Sequence, residues 1–258
     1  NQPAPGRPLE LVLAANSFPT ADGHPLRVDW KLLNAKRSVV QQGSSPVADS
    51  GDVNNLAGLV LETPGASFGE TWVLDSGVYA GTNLLRHWTQ DFLFPSYKSL
   101  AGTWRIRRGD DSAWAAPDFS DTDWTSTKVP GGWENDALPK YDGEAWYRTR
   151  FTLPPEALER WSNSPLAVLF GAIDDADETY LNGQRIGSSG EFPPAQVTAW
   201  DRPRVYEFDR SLLAETNVLA VRVSDWMGGG GIWKGPVALG PAGELRAAAQ
   251  LGRRIAGV

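Results

Sequence analysis

The stretch Phe170–Ser188, FGAIDDADETYLNGQRIGS, predicts the fold more directly than any other part of the chain. It begins within Leu166 to Ile173, a nearly unbroken apolar run of the kind expected for a strand buried on both faces. Asn182 and Gly183 both tolerate positive φ, so this pair predicts a two-residue primed turn with Gln184 to Ser188 as the returning strand. We expect one β-hairpin here, with the acidic residues between its strands leaving the sheet.

Glycine and proline are spread along the whole chain of 258 residues, which contains 27 Gly and 19 Pro. This distribution favours many short strands joined by tight turns over long helices. Since 41% of the residues are hydrophobic, the chain can build the core of one large or two smaller β domains. We therefore predict an all-β protein.

Charge and residue usage exclude several classes of partner. The formal net charge is −7 and no cluster of Lys or Arg occurs, so we expect neither nucleic acid nor an anionic membrane surface as partner. Without Cys the chain has no disulfides and no thiolate metal sites. No apolar run approaches the roughly 20 residues that span a bilayer. The Pro-rich start at Asn1 is typical of a segment behind a cleaved signal peptide, so we expect an exported protein, periplasmic or extracellular.

Short strands and turns fill the first part of the chain. Leu9 to Ala14 and Arg27 to Leu33 are candidate strands, the second with Val28, Trp30 and Leu32 on one face, and Gly43 to Pro46 is a candidate turn. This spacing predicts an immunoglobulin-like β-sandwich in residues 1–97.

A new pattern starts near Leu100 and continues to about residue 240. Trp146 to Leu153 alternates, which predicts a strand with Trp146, Arg148 and Arg150 on a solvent-facing side. Residues 241–258 form an Ala/Arg-rich tail that is either a plain helix or a frayed end.

Residues 98–240 resemble a known module. The pieces that carry the resemblance are Trp104, the run DDSAWAAPDFSDTDW (110–124), Val129-Pro130, Trp146-Tyr147-Arg148, Gly171 to Asp174, Tyr180 to Gly183, Asn217 to Val223 and Gly229 to Ile232. In order and spacing they resemble the galactose-binding-like jelly roll that is the sugar-binding domain of glycoside hydrolase family two, and the domain inserted in sialate O-acetylesterases. The family's catalytic barrel, and the α/β domain of those esterases, have no counterpart in the sequence. The resemblance thus implies a jelly-roll β-sandwich that accompanies a carbohydrate-acting enzyme.

The acidic residues Asp174, Asp175, Asp177 and Glu178 allow three interpretations. The simplest is a solvated turn whose carboxylates cap their own backbone. A carboxylate pair for glycoside hydrolysis and a calcium site are the alternatives, although the glycine and spacing of an EF-hand are missing. The two histidines, His24 and His87, both lie in the first unit without a GxSxG serine, so a catalytic triad is unsupported and a three-histidine zinc site is impossible.

Tryptophan is unusually frequent, with 12 residues, and indoles are the usual platform for stacking on a sugar ring. We expect those in strands to be core and those in loops to form a surface platform. Gly228 to Gly231 either lets the backbone approach a ligand or a neighbour closely, or is a flexible connection. The candidate ligand-binding residues are Trp133, Glu134, Asp174, Asp175, Trp200, Arg202, Trp226 and Trp233.

These observations predict a carbohydrate-binding or accessory module of a family-two-type glycoside hydrolase, non-catalytic and without a required cofactor. Its partners would be an oligo- or polysaccharide and a catalytic hydrolase domain or subunit. One alternative is a polysaccharide hydrolase that uses Asp174 or Asp175 with Glu134 as acid and base. The other is a structural module that docks on a catalytic partner and binds no sugar.

Overall fold

The computed structural model describes residues 8–14, 25–47, 56–63, 66 and 69–255. The chain divides into two compact units, Asn1–Ser96 and Tyr97–Val258. Within the described residues, α-helix is confined to two segments, both in the second unit. The predicted all-β class is confirmed.

The first unit builds two antiparallel sheets from its described strands, β1 (Leu9–Ala14), β2 (Leu26–Leu33), β3 (Val39–Pro46), β4 (Leu56–Leu61), β5 (Thr71–Ala80) and β6 (Asn83–Leu93). One sheet pairs β1 with β4, and the other has the order β3-β2-β5-β6. Both contribute to one core, in which Val28 and Leu32 of β2 pack with Leu59 of β4. The immunoglobulin type of this unit stays a prediction.

The turn expected at Gly43 to Pro46 is wrong, because these residues end strand β3. Gly43 pairs across the sheet with Trp30, and a Cβ on it would lie 2.7 Å from Cζ2 of that indole. The glycine is therefore required by the close approach of a tryptophan within the sheet.

The second unit contains the strands β7 (Lys98–Ser99), β8 (Gly102–Arg108), β9 (Thr125–Val129), β10 (Gly143–Phe151), β11 (Leu166–Asp174), β12 (Ala176–Leu181), β13 (Gln184–Ser189), β14 (Arg204–Phe208), β15 (Asn217–Asp225) and β16 (Gly231–Pro241). The helices are α1 (Pro155–Arg160) and α2 (Ala242–Ile255). One sheet has the order β13-β12-β15-β10-β8-β9 and the other β14-β11-β16-β7. The pairings between these described strands are antiparallel, as in a sandwich of two sheets.

The predicted hairpin is β12–β13, and its turn is as expected: φ is 50° at Asn182 and 86° at Gly183. The preceding strand β11 was wrongly assigned to the same hairpin. It lies in the four-stranded sheet, between β14 and β16, whereas β12 lies in the six-stranded sheet beside β15. The chain passes from one sheet to the other at Asp174-Asp175, which are joined by a cis peptide bond.

The tail after residue 241 is mostly helical and packs on the four-stranded sheet. Leu245 of α2 is fully buried with Ala167 and Leu169 of β11. Apolar burial thus attaches the start of α2 to the second unit.

The solvent-facing side expected for β10 is wrong for Trp146 and Arg148, because a loop covers them, whereas Arg150 is exposed as expected. Arg148 is fully buried, donating from Nε to Asp121 Oδ2 at 2.9 Å and from Nη2 to the carbonyl oxygens of Ala116 and Phe119. The indoles of Trp114 and Trp124 meet edge to face beside it, with ring centroids 5.2 Å apart. A buried guanidinium needs several hydrogen-bond acceptors, and the loop of residues 110–124 supplies them to Arg148. Arg148 therefore holds this acidic loop against the sheet.

Candidate functional site

Four connections of the second unit meet at one place, which we call the loop rim: residues 131–136, 174–176, 198–202 and 225–233. Hydrogen bonds join them pairwise. The Gly230 amide donates to Glu134 Oε1 at 2.8 Å, and the Trp226 amide donates to Asp175 Oδ2 at 3.4 Å. Trp233 Nε1 donates to the Trp200 carbonyl oxygen at 3.0 Å. Residues far apart in the sequence therefore share one surface.

An indole pair gives the loop rim an exposed aromatic face. The rings of Trp200 and Trp233 stack with centroids 5.9 Å apart and planes inclined by 24°. Trp200 remains 49% exposed, and the Lys234 ammonium lies 5.7 Å from the Trp233 centroid. Stacking on Trp233 limits the conformational freedom of the Trp200 ring, which is the more exposed aromatic surface of the two.

Trp133 does not belong to this surface, so the expectation of a platform residue is wrong for it. Its side chain is fully buried, stacks on Tyr147 at a centroid distance of 6.3 Å and donates from Nε1 to the Tyr141 carbonyl oxygen. Trp226 is partly exposed and stays at the loop rim. Position in a loop did not predict exposure, because the β9–β10 loop folds inward onto the core.

At two of the four positions in residues 228–231, glycine lets the backbone lie close to neighbouring side chains. A Cβ on Gly230 would lie 2.4 Å from the Trp133 indole and 2.6 Å from Asp225 Oδ2, and Gly231 has φ +109°. A Cβ on Gly228, in contrast, would meet nothing within 4 Å. The close-approach interpretation is therefore the appropriate one for the second half of this loop.

Two carboxyl groups at the loop rim have strongly raised pKa values. Burial, followed by the neighbouring Asp175 carboxylate, raises the pKa of Asp174 to about 7. Burial also raises the pKa of Asp225 to about 6, against the hydrogen bond that its Oδ1 accepts from the Met227 amide at 3.0 Å. Asp225 was missed by sequence reasoning, although its place at a strand end directly before Trp226 was a usable signal.

The rest of the acidic run is structural, and the solvated turn expected there is wrong. Asp175 is 7% exposed, and its carboxylate accepts hydrogen bonds from Thr198 Oγ1 and the Trp226 amide. Asp177 lies within β12, is fully buried and pairs with Arg204 at 2.8 Å. Among the described residues no group of three or more potential ligands is placed to hold a metal ion.

Glu178 takes part in surface ion pairs outside the loop rim. Its Oε1 accepts from Arg185 at 2.9 Å and its Oε2 accepts from Arg222 at 3.1 Å. Burial alone would raise its pKa, but the hydrogen bonds from Arg222 and Arg185 hold it below its usual value. The acidic run is thus divided between different partners, as the alternation of side chains along β12 requires.

Arg204 holds the loop that carries Trp200, and it too was missed by sequence reasoning. Its guanidinium donates to the carbonyl oxygens of Ala199 and Arg202, on either side of Trp200, and to that of Ile173 at 2.7 Å. The candidate Arg202 is exposed on the same loop. The buried Arg204 therefore orders the backbone on which the exposed candidates stand.

The remaining expectations concern residues outside the loop rim. His24 lies outside the described residues, and His87 pairs with Asp75 in the first unit. In the part of the chain that is described, no helix has the length and apolar character needed to cross a membrane.

Comparison with known proteins finds related sequences over about half of the chain. No family model matches the chain. A beta-galactosidase of Vibrio vulnificus (strain YJ016) is 24% identical over 164 residues, covering 54% of this chain and 15% of the relative. A beta-galactosidase of Priestia megaterium (strain DSM 319 / IMG 1521) is 25% identical over 160 residues, covering 50% of this chain and 14% of the relative. The chain thus spans about one seventh of the length of these curated relatives.

Among solved structures, a calcium-binding mutant of beta-glucuronidase 2 from Bacteroides uniformis matches with a TM-score of 0.44 at 23% identity, covering 55% of this chain and 17% of that chain. A glycosyl hydrolase family 2 member from Bacteroides cellulosilyticus matches with a TM-score of 0.43 at 17% identity, covering 55% and 20%. Over about half of its length the chain is related to beta-galactosidases, and the expected resemblance to the sugar-binding domain of glycoside hydrolase family two is confirmed.

Proposed function

We propose that the chain is a carbohydrate-binding, non-catalytic module of a family-two-type glycoside hydrolase and that the loop rim is its binding site. The observation that carries the proposal is the stacked Trp200–Trp233 pair, with Trp200 exposed and Trp233 partly exposed, on a rim where Asp174 pairs with Gly231 and Glu134 accepts from the Gly230 amide. Its partners are an exported polysaccharide-acting enzyme and the saccharide itself. The curated relatives, named as beta-galactosidases, support the substrate class.

The chemistry of the loop rim suits a sugar. The apolar face of a pyranose stacks on an indole, and the ring hydroxyls need both donors and acceptors around it. Trp200 and Trp233 supply the face, Asp174 and Glu134 supply acceptors, and the exposed Arg202 supplies donors. With a pKa of about 7, Asp174 also carries a proton for part of the time at neutral pH and can donate to a sugar oxygen.

A glycan array tests the proposal with the full chain and the double variant Trp200→Ala/Trp233→Ala printed side by side. We expect the wild-type chain to bind a defined group of β-linked glycans and the double variant to lose that binding. Trp200→Phe/Trp233→Phe is the matched control, since it keeps aromatic faces and should keep most of the binding. Binding should be unchanged in EDTA, because stacking and direct hydrogen bonds need no metal. Array signals equal in the wild type and the alanine variant would contradict the proposal.

The pKa of Asp174 favours one second candidate, a hydrolase in which Asp174 is the general acid and Glu134 the base. A reducing-sugar assay on the glycans selected by the array separates the two functions. Turnover that is lost in Asp174→Asn and in Glu134→Gln supports the hydrolase. Absence of turnover with intact binding supports the accessory module.

A further inference from the structure

A second concave surface lies in the first unit, on the outer face of the sheet β3-β2-β5-β6. The register places Ser44, Asp29, Gly77 and His87 in one row across the four strands. Gly77 is the only member of the row without a side chain, so the row has a depression at its centre. The resulting groove has a volume of about 640 Å³. That volume is in the range of small-molecule sites in proteins.

The absence of a side chain at Gly77 keeps this groove open. A Cβ there would lie 3.0 Å from Tyr79 Cε2 and 3.0 Å from Leu84 Cδ1. Any larger residue would therefore fill the floor and displace the Tyr79 ring. The phenol ring is held from the neighbouring strand by Arg27, whose guanidinium carbon lies 4.8 Å from the ring centroid.

Charged groups of both signs surround the floor and are fixed in pairs. Asp29 accepts from Arg27 Nε at 3.0 Å and from Ser44 Oγ at 2.6 Å, and these bonds hold the pKa of Asp29 below its usual value. Across the groove His87 Nε2 contacts Asp75 Oδ1. These groups are partly exposed, so their polar atoms can be reached from solvent.

The row beside the first adds a further donor. Lys31 pairs across the strands with Gln42 on one side and Asp75 on the other. The formal charges of the two carboxylates Asp29 and Asp75 and of the two cations Arg27 and Lys31 sum to zero, and the His87 imidazole adds a further polar group to the wall. Neither an anion nor a cation is favoured by such a wall, but a ligand whose groups both donate and accept hydrogen bonds meets partners on every side.

We propose that this groove is a second binding site of the chain and that it takes a neutral sugar ring. Hydroxyl groups are the ligand chemistry that uses adjacent donors and acceptors without net charge, and the Tyr79 ring provides the apolar contact. The choice of a sugar over another polyol rests on the proposed function, whereas the groove itself does not. The site is formed by the first unit alone and is independent of the loop rim.

Shift mapping by 1H–15N NMR on the full chain tests this site, with methyl β-D-galactoside and methyl β-D-glucoside as neutral probes and glucuronate and glucosamine as charged comparators. The loop rim is first disabled by Trp200→Ala/Trp233→Ala. We expect the neutral probes to shift amides of β2 and β5 in this background. Gly77→Val should weaken that binding at least 10-fold by filling the floor, and Asp75→Ala should weaken it by a smaller factor. Lys31→Ala, which removes a donor from the wall, should also weaken binding by a smaller factor than Gly77→Val, and Lys36→Ala, an exposed lysine in the turn before β3, is its matched control.

The outcomes separate the two sites. Shifts in β2 and β5 that are lost on Gly77→Val or Asp75→Ala support the groove. If Gly77→Val does not fold, the shifts measured in Asp75→Ala and Lys31→Ala, which change residues at the surface, still show whether the groove binds the probes. Neutral-probe shifts that are absent from β2 and β5, or that survive all three substitutions, overturn it, as does tighter binding of glucuronate or glucosamine. Loop-rim shifts that survive in the tryptophan double variant would instead contradict the proposed function and leave the groove unaffected.

Discussion

The buried pair Asp177–Arg204 should be the most sensitive point of the second unit. Both side chains are fully buried, and Arg204 Nε donates to Asp177 Oδ1 at 2.8 Å. Arg204→Met removes the charge that compensates Asp177 and also removes one donor from each of the carbonyl oxygens of Ala199 and Ile173. Breaking a buried ion pair from one side costs about 3–5 kcal/mol, which is a large share of the roughly 5–15 kcal/mol that stabilises a domain.

A double-mutant cycle isolates the part of this cost that belongs to the pair. Asp177→Asn removes the negative charge while keeping the shape, so the double variant no longer contains an unpaired buried carboxylate. We expect the double variant to be more stable than the sum of the two single effects by about 1–3 kcal/mol. Arg185→Met is the matched control, because Arg185 pairs with Glu178 at 2.9 Å on the surface and should cost only about 0–1 kcal/mol.

Urea unfolding followed by tryptophan fluorescence and circular dichroism measures these differences. The two units are expected to give separate transitions, and the transition of the first unit serves as an internal reference. A loss below about 1 kcal/mol for Arg204→Met, or equal losses for Arg204→Met and Arg185→Met, would refute the assignment of Arg204 as the buried anchor of the Trp200 loop.

Three further predictions follow from single positions. Gly183→Val should cost at least about 1 kcal/mol, because φ is 86° there and a Cβ would also lie 3.2 Å from Pro117 Cδ; an unchanged urea midpoint would contradict it. Trp133→Ala should cost about 3–5 kcal/mol because the indole is fully buried, and a thermal midpoint equal to wild type would show that this burial is wrong. The folded state keeps the Asp174 proton up to a pKa of about 7, whereas an unfolded chain loses it near 3.8, so stability from this group is complete at low pH and is lost as pH rises through 7. After allowance for its partial exposure, the wild type should lose about 1 kcal/mol more than Asp174→Asn between pH 5 and pH 8, and parallel stability curves would contradict this.

Local signals in the sequence predicted local structure well. The positive φ values at Asn182 and Gly183 follow from residue types that tolerate them, and the burial of Val28 and Leu32 follows from alternation along β2. These features depend only on a residue and its neighbours in the chain. The all-β class followed from the same kind of signal, because turn residues punctuate the chain at short intervals.

Features that depend on distant partners could not be predicted in this way. Arg148 continues a polar alternation and is nevertheless buried, because a loop from residues 110–124 folds over it and supplies its acceptors. Trp133 is in a loop and is nevertheless core, because the backbone at Gly230 packs against it. The spacing of apolar residues along a segment indicates which of its residues share a face. It contains no information about which other segment of the chain covers that face.

The candidate site shows the same division. Trp200 is an exposed loop residue as predicted, whereas Trp233, also predicted for a loop, lies in strand β16 and is only partly exposed; the two indoles stack at the loop rim. The crossing of the chain between sheets at Asp174-Asp175 was not foreseen, because an apolar strand followed by acidic residues is equally typical of a hairpin. Arg204 carries no local motif and becomes visible only through its partners, whereas the signal for Asp225 was its place at a strand end directly before Trp226.

Calorimetric titration of the full chain with the tightest-binding glycan from the array tests the central claim most directly. Wild type, Trp233→Phe and Trp233→Ala are compared, each with its thermal midpoint as a check on folding. If the Trp200–Trp233 pair is the sugar platform, Trp233→Ala weakens binding by about 1–3 kcal/mol and Trp233→Phe by clearly less, while the thermal midpoints stay within a few degrees of wild type. Equal affinities for wild type and Trp233→Ala in folded protein would contradict the claim that the loop rim binds sugar.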